Sequence, residues 1–276
     1  MDSLVVLGTG NAMALRCYNT CFVLRGDEGC FLVDGGGGNG ILSRMEEAGL
    51  AFTDVREAFL SHSHTDHIFG MVWMVRHIGF LMRQGLYGGV FTVYCHEELA
   101  AKFRAILDMT LVPGAKKLLG KEIVIYPVAD GETRRILGRE MTFFDIHSDK
   151  EKQFGFTVRL GARLGDGQKL SFLGDEPFNE RCEPHVRGSD WLLSEAFCLY
   201  SQRDRFKPYE KHHSTVKEAC ELAERLGAGN LVLWHTEDEN IAARKELYTA
   251  EGREYFRGNL FVPDDLEVIP LRGCFP

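Results

Sequence analysis

The segment Ser61-His62-Ser63-His64-Thr65-Asp66-His67 constrains this chain more than any other part of it. Three imidazoles and one carboxylate fall within six residues, directly after the strand candidate 55–60. Residues two apart on an extended chain point to the same side. His62 and His64 therefore converge on one ion, while Asp66 and His67 reach a second after the chain turns. This donor set suits zinc, and manganese or iron as well. A lone histidine would read as an ordinary packed or surface residue. Four ligand-type residues in this pattern demand a fold that brings a strand end to other ligands.

The remaining pattern supplies such a fold. Short apolar runs at 4–7, 21–24 and 30–33, together with 55–60, read as strands, and 41–49, 70–84 and 97–109 as helices. Strand candidates at 122–126, 141–146, 154–160 and 170–173 fill the middle. A strand at 191–194, a helix at 215–226, a strand at 230–234, a helix at 241–256 and a strand at 266–271 follow. Each half runs strands first and helices after. This predicts an α/β, four-layer αββα sandwich, with two mixed sheets face to face and helices outside, as one domain over 1–276. The glycines at 35–38 lack a following Gly-Lys-Ser/Thr and so form no phosphate loop. They are expected to let backbone pass close to the metal floor. Gly8-Thr9-Gly10 reads as an ordinary turn.

Composition narrows the partners. Asp plus Glu number 40 against 32 Lys plus Arg, for a net charge of -8, which weighs against a non-specific nucleic-acid binder. The first residues have no basic region, and no unbroken apolar stretch is long enough to span a bilayer. The eight scattered cysteines are expected to be reduced thiols, and the cytoplasm is the expected location.

An HxHxDH segment after an apolar strand resembles the metallo-β-lactamase superfamily, and the likeness extends along nearly the full chain. Asp34 in Leu32-Val33-Asp34-Gly35 matches that family's structural aspartate. His147 matches the third histidine, Asp175 in Phe172-Leu173-Gly174-Asp175 the bridging aspartate, and His235 the last ligand. The resemblance implies His62, His64 and His147 on one metal, and Asp66, His67 and His235 on the other, with Asp175 between them. The implied cofactors are two divalent ions, zinc first, with manganese or iron as alternatives.

A second set resembles the ribonuclease Z branch and related cyclic phosphodiesterases. His213-Ser214-Thr215 stands 22 residues before His235, and Glu195 lies at a strand end. The resemblance gives His213 the roles of stabilising charge on the scissile phosphate and protonating the leaving oxygen, with Glu195 orienting it. Ser214 or Thr215 is also expected to cap the helix. The implied enzyme is a dinuclear metal-dependent phosphodiesterase. A hydroxide bridging the metals attacks phosphorus, and Asp66 helps deprotonate or orient it. The substrate is a small cyclic or diester phosphate, or an RNA 3′ end. A thioesterase or lactonase of the same fold is the alternative, and a non-catalytic metal-binding member a third. No membrane partner is expected, and relatives are often homodimers.

The chain departs from ribonuclease Z at two points. No glycine- and proline-rich basic arm is recognisable; Lys116, Lys117, Lys121, Arg134 and Arg135 make a modest basic patch, read as a solvated face. After His235 the chain continues Thr236-Glu237-Asp238-Glu239, and such acidic residues repel a polyanion unless they point away. His77, His96 and His185 carry no motif.

Overall fold

The computed structural model describes residues 2–160 and 167–271. Side-chain alternation sets the architecture. In β1 (Ser3–Gly8), Leu4 and Val6 enter one core and Val5 and Leu7 another. The same division recurs in β2 (Cys21–Gly26) and β3 (Gly29–Val33). A strand apolar on both faces needs cover on both faces. Here one face meets the opposite sheet and the other meets helices.

The first sheet continues through β4 (Val55–Phe59), β5 (Phe91–His96) and β6 (Ile123–Val128). The second holds β7 (Thr133–Ile136), β8 (Arg139–Asp145), β9 (Phe154–Arg159), β10 (Lys169–Phe172), β11 (Trp191–Glu195), β12 (Asn230–Trp234) and β13 (Asn259–Phe261). The closing strand β14 (Val268–Pro270) returns to β1. Among the described residues the orders are β14-β1-β2-β3-β4-β5-β6 and β13-β12-β11-β10-β9-β8-β7. In each sheet, antiparallel pairing at one side gives way to parallel pairing at the other, beginning at β3–β4 and at β10–β11. The four-layer sandwich of two mixed sheets is thus the observed fold.

Parallel pairs need crossovers, and the crossovers carry the helices. They are α1 (Gly40–Glu47), α2 (Thr65–Arg83), α3 (Glu97–Thr110), α4 (Pro113–Lys116), α5 (Glu183–Val186), α6 (Arg203–Phe206), α7 (Val216–Leu226) and α8 (Arg244–Gly252). Between the sheets, Phe22 stacks on Trp234 with centroids 4.7 Å apart and meets the edge of Phe172 at 5.4 Å. Such pairs add about 0.5–1.5 kcal/mol each beyond the area they bury.

The elements depart from the sequence reading in several places. The strands β7 and β13 were not expected; both are short edge strands, and Thr133-Arg134-Arg135-Ile136 lacks an apolar alternation. The helix expected at 70–84 starts at Thr65, because the ligand residues of its first turn mask the apolar pattern. The helix expected at 241–256 is confined to Arg244–Gly252. The described cysteines are free, and Cys274 lies outside the described residues.

The glycine run packs as expected. Gly35 N–H donates to His67 O (2.9 Å) and Gly70 N–H to Gly36 O (2.8 Å), so the loop after β3 lies against the first turns of α2. A Cβ on Gly70 would stand 1.7 Å from Gly35 O, a backbone atom, whereas one on Gly38 would meet nothing within 4 Å. Gly70→Ala is therefore expected to cost at least about 3 kcal/mol in urea unfolding, and Gly38→Ala to stay within about 0.5 kcal/mol. Equal midpoints for the two variants would contradict this packing.

Candidate metal centre and active site

Strand ends converge on one edge of the sandwich. Asp34 follows β3, His62 follows β4, His147 follows β8, Asp175 follows β10, Glu195 ends β11 and His235 follows β12. Ligand sites at the carboxyl ends of parallel strands are the general rule in open α/β sheets. Asp34, His147 and His235 take left-handed backbone, with φ of 56°, 57° and 56°. Non-glycine residues held there cost about 1 kcal/mol or more each, and such strain gathers at functional sites.

Asp34 organises the first half of the site. Its Oδ1 accepts from the Ser61 N–H (2.8 Å) and its Oδ2 from the Ser61 hydroxyl (2.7 Å). His67 Nδ1 lies 2.8 Å from the same Oδ2, and Ser61 Oγ lies 3.0 Å from His62 Nδ1. One buried carboxylate thus fixes His67 directly and His62 through Ser61. Both rings present Nε2 to the site, the usual arrangement behind metal-binding histidines.

Asp175 organises the second half. Its Oδ2 stands 3.3 Å from His67 Nε2, 3.4 Å from His235 Nε2 and 3.7 Å from His62 Nε2. Asp66 Oδ2 is 3.3 Å from His67 Nε2, and His62 Nε2 is 2.9 Å from His64 Nδ1. Two groups result, Asp66-His67-Asp175-His235 and His62-His64-Asp175, each with ligand atoms within 4.8 Å of one another. They share Asp175. His147, assigned by resemblance to the first ion, joins neither group; it is half-buried, with Nδ1 3.9 Å from Asp145 Oδ1.

The donor set fits divalent cations. His67 Nε2 is buried without a hydrogen-bond partner although it faces two carboxylates, as a ligand atom would. Burial opposes protonation of His67, but Asp66, Asp34 and Asp175 outweigh it and hold the imidazole well above its usual range. Burial holds His62 well below that range and lowers His235. Burial likewise opposes ionisation of Asp175, yet His62, His235 and His67 keep it well below the ordinary carboxylate range. Two clusters sharing one carboxylate are suited to a pair of divalent ions.

His213 and Glu195 lie beside it. His213 Nδ1 is 3.0 Å from the Asp175 carbonyl oxygen and 3.7 Å from Glu195 Oε2. Its ring stacks on Phe197 at 5.1 Å and lies 5.2 Å from His235. Glu195 Oε1 accepts from the Ser214 N–H, and its Oε2 is buried without a partner. Burial pushes the Glu195 carboxyl well above its usual range. Burial, then His235, push His213 down to about 3. Thr215 caps α7 with Glu218, as expected, so capping and the placement of His213 coexist in one turn.

The acidic run after His235 is held by partners of its own. Asp238 accepts from the N–H groups of Leu15 and Arg16 (2.7 Å each), Glu237 from those of Glu239 and Asn240, and Glu239 pairs with Arg205. The unassigned histidines are structural: His77 packs on Phe52, His185 stacks on Phe144, and His96 caps α3.

Two residues escaped the sequence reading. Gln153, fully buried before β9, donates from Nε2 to Asp175 Oδ1 (2.5 Å) and accepts at Oε1 from the Asp175 N–H (3.0 Å). A Cβ at position 174 would lie 1.8 Å from that Oε1, so Gly174 is required there. Glu176 is buried with Oε1 unpartnered, and burial pushes its carboxyl up. Neither belongs to the motif, and only Gly174 hinted at a close neighbour. Gln153→Leu is expected to keep the fold and weaken metal binding by about 10–100-fold in chelator competition. Parent-like affinity would show that Asp175 holds its position without it.

Comparison with known proteins agrees with this geometry. A family model described as Anti-Pycsar protein Apyc1 matches residues 2–249. Ribonuclease Z of Pyrococcus abyssi (strain GE5 / Orsay) is 27% identical over 271 residues, covering 86% of this chain and 86% of that protein. The metallo-beta-lactamase fold protein YhfI from Bacillus subtilis superposes with a TM-score of 0.77 at 16% identity, covering 97% of this chain and 98% of its own. Human tRNase Z, short form, superposes with a TM-score of 0.71 at 20% identity, covering 98% and 99%. No helix among the described residues is long and apolar enough to cross a membrane. The fold is the metallo-β-lactamase fold, and with its His/Asp clusters and ribonuclease Z relatives the chain is a metal-dependent hydrolase. It belongs to the family of the anti-Pycsar protein Apyc1.

Proposed function

We propose that the chain hydrolyses small phosphodiesters, cyclic or open, at the site built around Asp175. The observation that carries this reading is the His213–Glu195 pair set against the metal clusters. Attack on a thioester needs no such pair, because a thiolate departs readily, whereas the poor alkoxide leaving group of a phosphodiester needs a proton. The ribonuclease Z relatives support phosphodiester chemistry.

Two divalent cations, zinc by preference, held by His62, His64, Asp66, His67, Asp175 and His235 would supply Lewis-acid charge to a phosphoryl group and make water nucleophilic at neutral pH. His147 would complete the first set. Asp66 sits in the first turn of α2, where the helix N-terminus favours its negative form, and serves to orient the attacking water. Asp34, Ser61 and Gln153 hold the ligands in place.

His213 supplies the proton. With Nδ1 against the Asp175 carbonyl oxygen, Nδ1 is the protonated nitrogen and Nε2 is left for the substrate. At rest burial favours the neutral imidazole and pushes the Glu195 carboxyl toward its protonated form. An anionic phosphate beside His213 favours the imidazolium, and Glu195 then matches it as a carboxylate. The imidazolium, which takes its Nε2 proton from solvent, gives it to the departing oxygen, and the Glu195 carboxylate beside the neutral imidazole then takes a proton from water to restore the resting pair.

In bis(p-nitrophenyl) phosphate the departing group needs little protonation. His213→Ala is therefore expected to lower kcat for a dialkyl phosphate by about 10²–10⁴-fold, to lower it much less for the nitrophenyl ester, and to leave metal content intact. Equal effects on the two esters would remove His213 as the proton donor. Thioester or lactone turnover by parent protein that hydrolyses neither diester would overturn the phosphodiesterase reading.

A further inference from the structure

A groove of about 550 Å³ opens beside His213 and belongs to no metal ligand. One wall is the segment two to five residues after Asp175, with Phe178 and Glu180. The other comes from the turn carrying Tyr209 and His213 and from the exposed side of α7. Its volume lies in the range of small-molecule sites, roughly 300–1,000 Å³. If His213 protonates the departing oxygen, the alcohol attached to that oxygen extends into the space His213 lines.

The groove has a definite chemistry. Phe178 and the buried Leu222 offer apolar surface, and Tyr209 an aromatic ring. Its ionised lining is Glu180, Glu218 and Glu221 against Arg225 alone. That guanidinium is already met by Glu180 at 2.8 Å and Glu183 at 3.4 Å. Lys217, 3.8 Å from Glu221, is not part of the lining. A lining with an excess of carboxylates repels an alcohol bearing phosphates, and an RNA strand brings one with every nucleotide.

We propose that this groove binds the departing alcohol of the diester and selects an aromatic or amphipathic alcohol without further negative charge. The proposal rests on the phosphodiesterase reading above. It makes Glu180 and Glu221 specificity-determining residues of the site.

The test uses two methyl aryl phosphates with phenols of matched acidity, so that the phenol departs from each. One ring is neutral and the other bears a phosphonate remote from the ester oxygen. For metal-loaded parent protein, kcat/KM is expected to favour the neutral ester by about 3- to 10-fold, the scale of a few exposed charge contacts. The double variant Glu180→Gln, Glu221→Gln is expected to move that ratio toward one. Both positions are exposed, and Glu221→Gln alone should shift the ratio in the same direction. A parent ratio near one, or a ratio that both variants leave in place, overturns the groove assignment while diester hydrolysis stands. Absence of chelator-sensitive turnover of either ester overturns the phosphodiesterase reading, and the groove assignment with it.

Discussion

The site depends on one buried carboxylate that binds no substrate. Asp34 is 1% exposed and accepts from a backbone amide and a hydroxyl of Ser61 while meeting His67 Nδ1. An ionised carboxylate taken out of water without such partners costs many kcal/mol. Satisfied in this way, it joins the end of β3, the end of β4 and the first turn of α2. The close approach of Gly35 and Gly70 gives those elements the contact distance this junction needs.

Around that anchor the structure gathers groups that repel or starve one another unless cations intervene. Asp66 and Asp175 share a pocket, and His62, His67 and His235 aim Nε2 at a single carboxylate oxygen. Burial works against a proton on His67, but its three carboxylates hold the imidazole above its usual range, while burial holds His62 below it. Divalent ions satisfy the whole arrangement. The left-handed backbone of Asp34, His147 and His235 belongs to the same economy, since strained residues persist where surrounding contacts over-determine them.

Much of this was legible in the sequence because metal ligation restricts residue types severely. The HxHxDH spacing, the order of the later ligands and the two-fold run of strands then helices led to the αββα sandwich and to seven ligand candidates, six of which the structure gathers in two clusters while His147 joins neither. What escaped follows from the same physics. Gln153 acts through a contact 22 residues away in sequence, and a glutamine in a turn carries no pattern. The first turn of α2 was hidden because its ligands displace the apolar residues that announce a helix. The acidic residues after His235 looked hostile to phosphate until their backbone partners were seen.

The central claim is that two clusters joined by Asp175 hold two ions. The most direct measurement is the metal content per chain, by elemental mass spectrometry, of protein saturated with zinc and freed of excess metal. The account predicts two ions per chain. A single ion at saturation would contradict it.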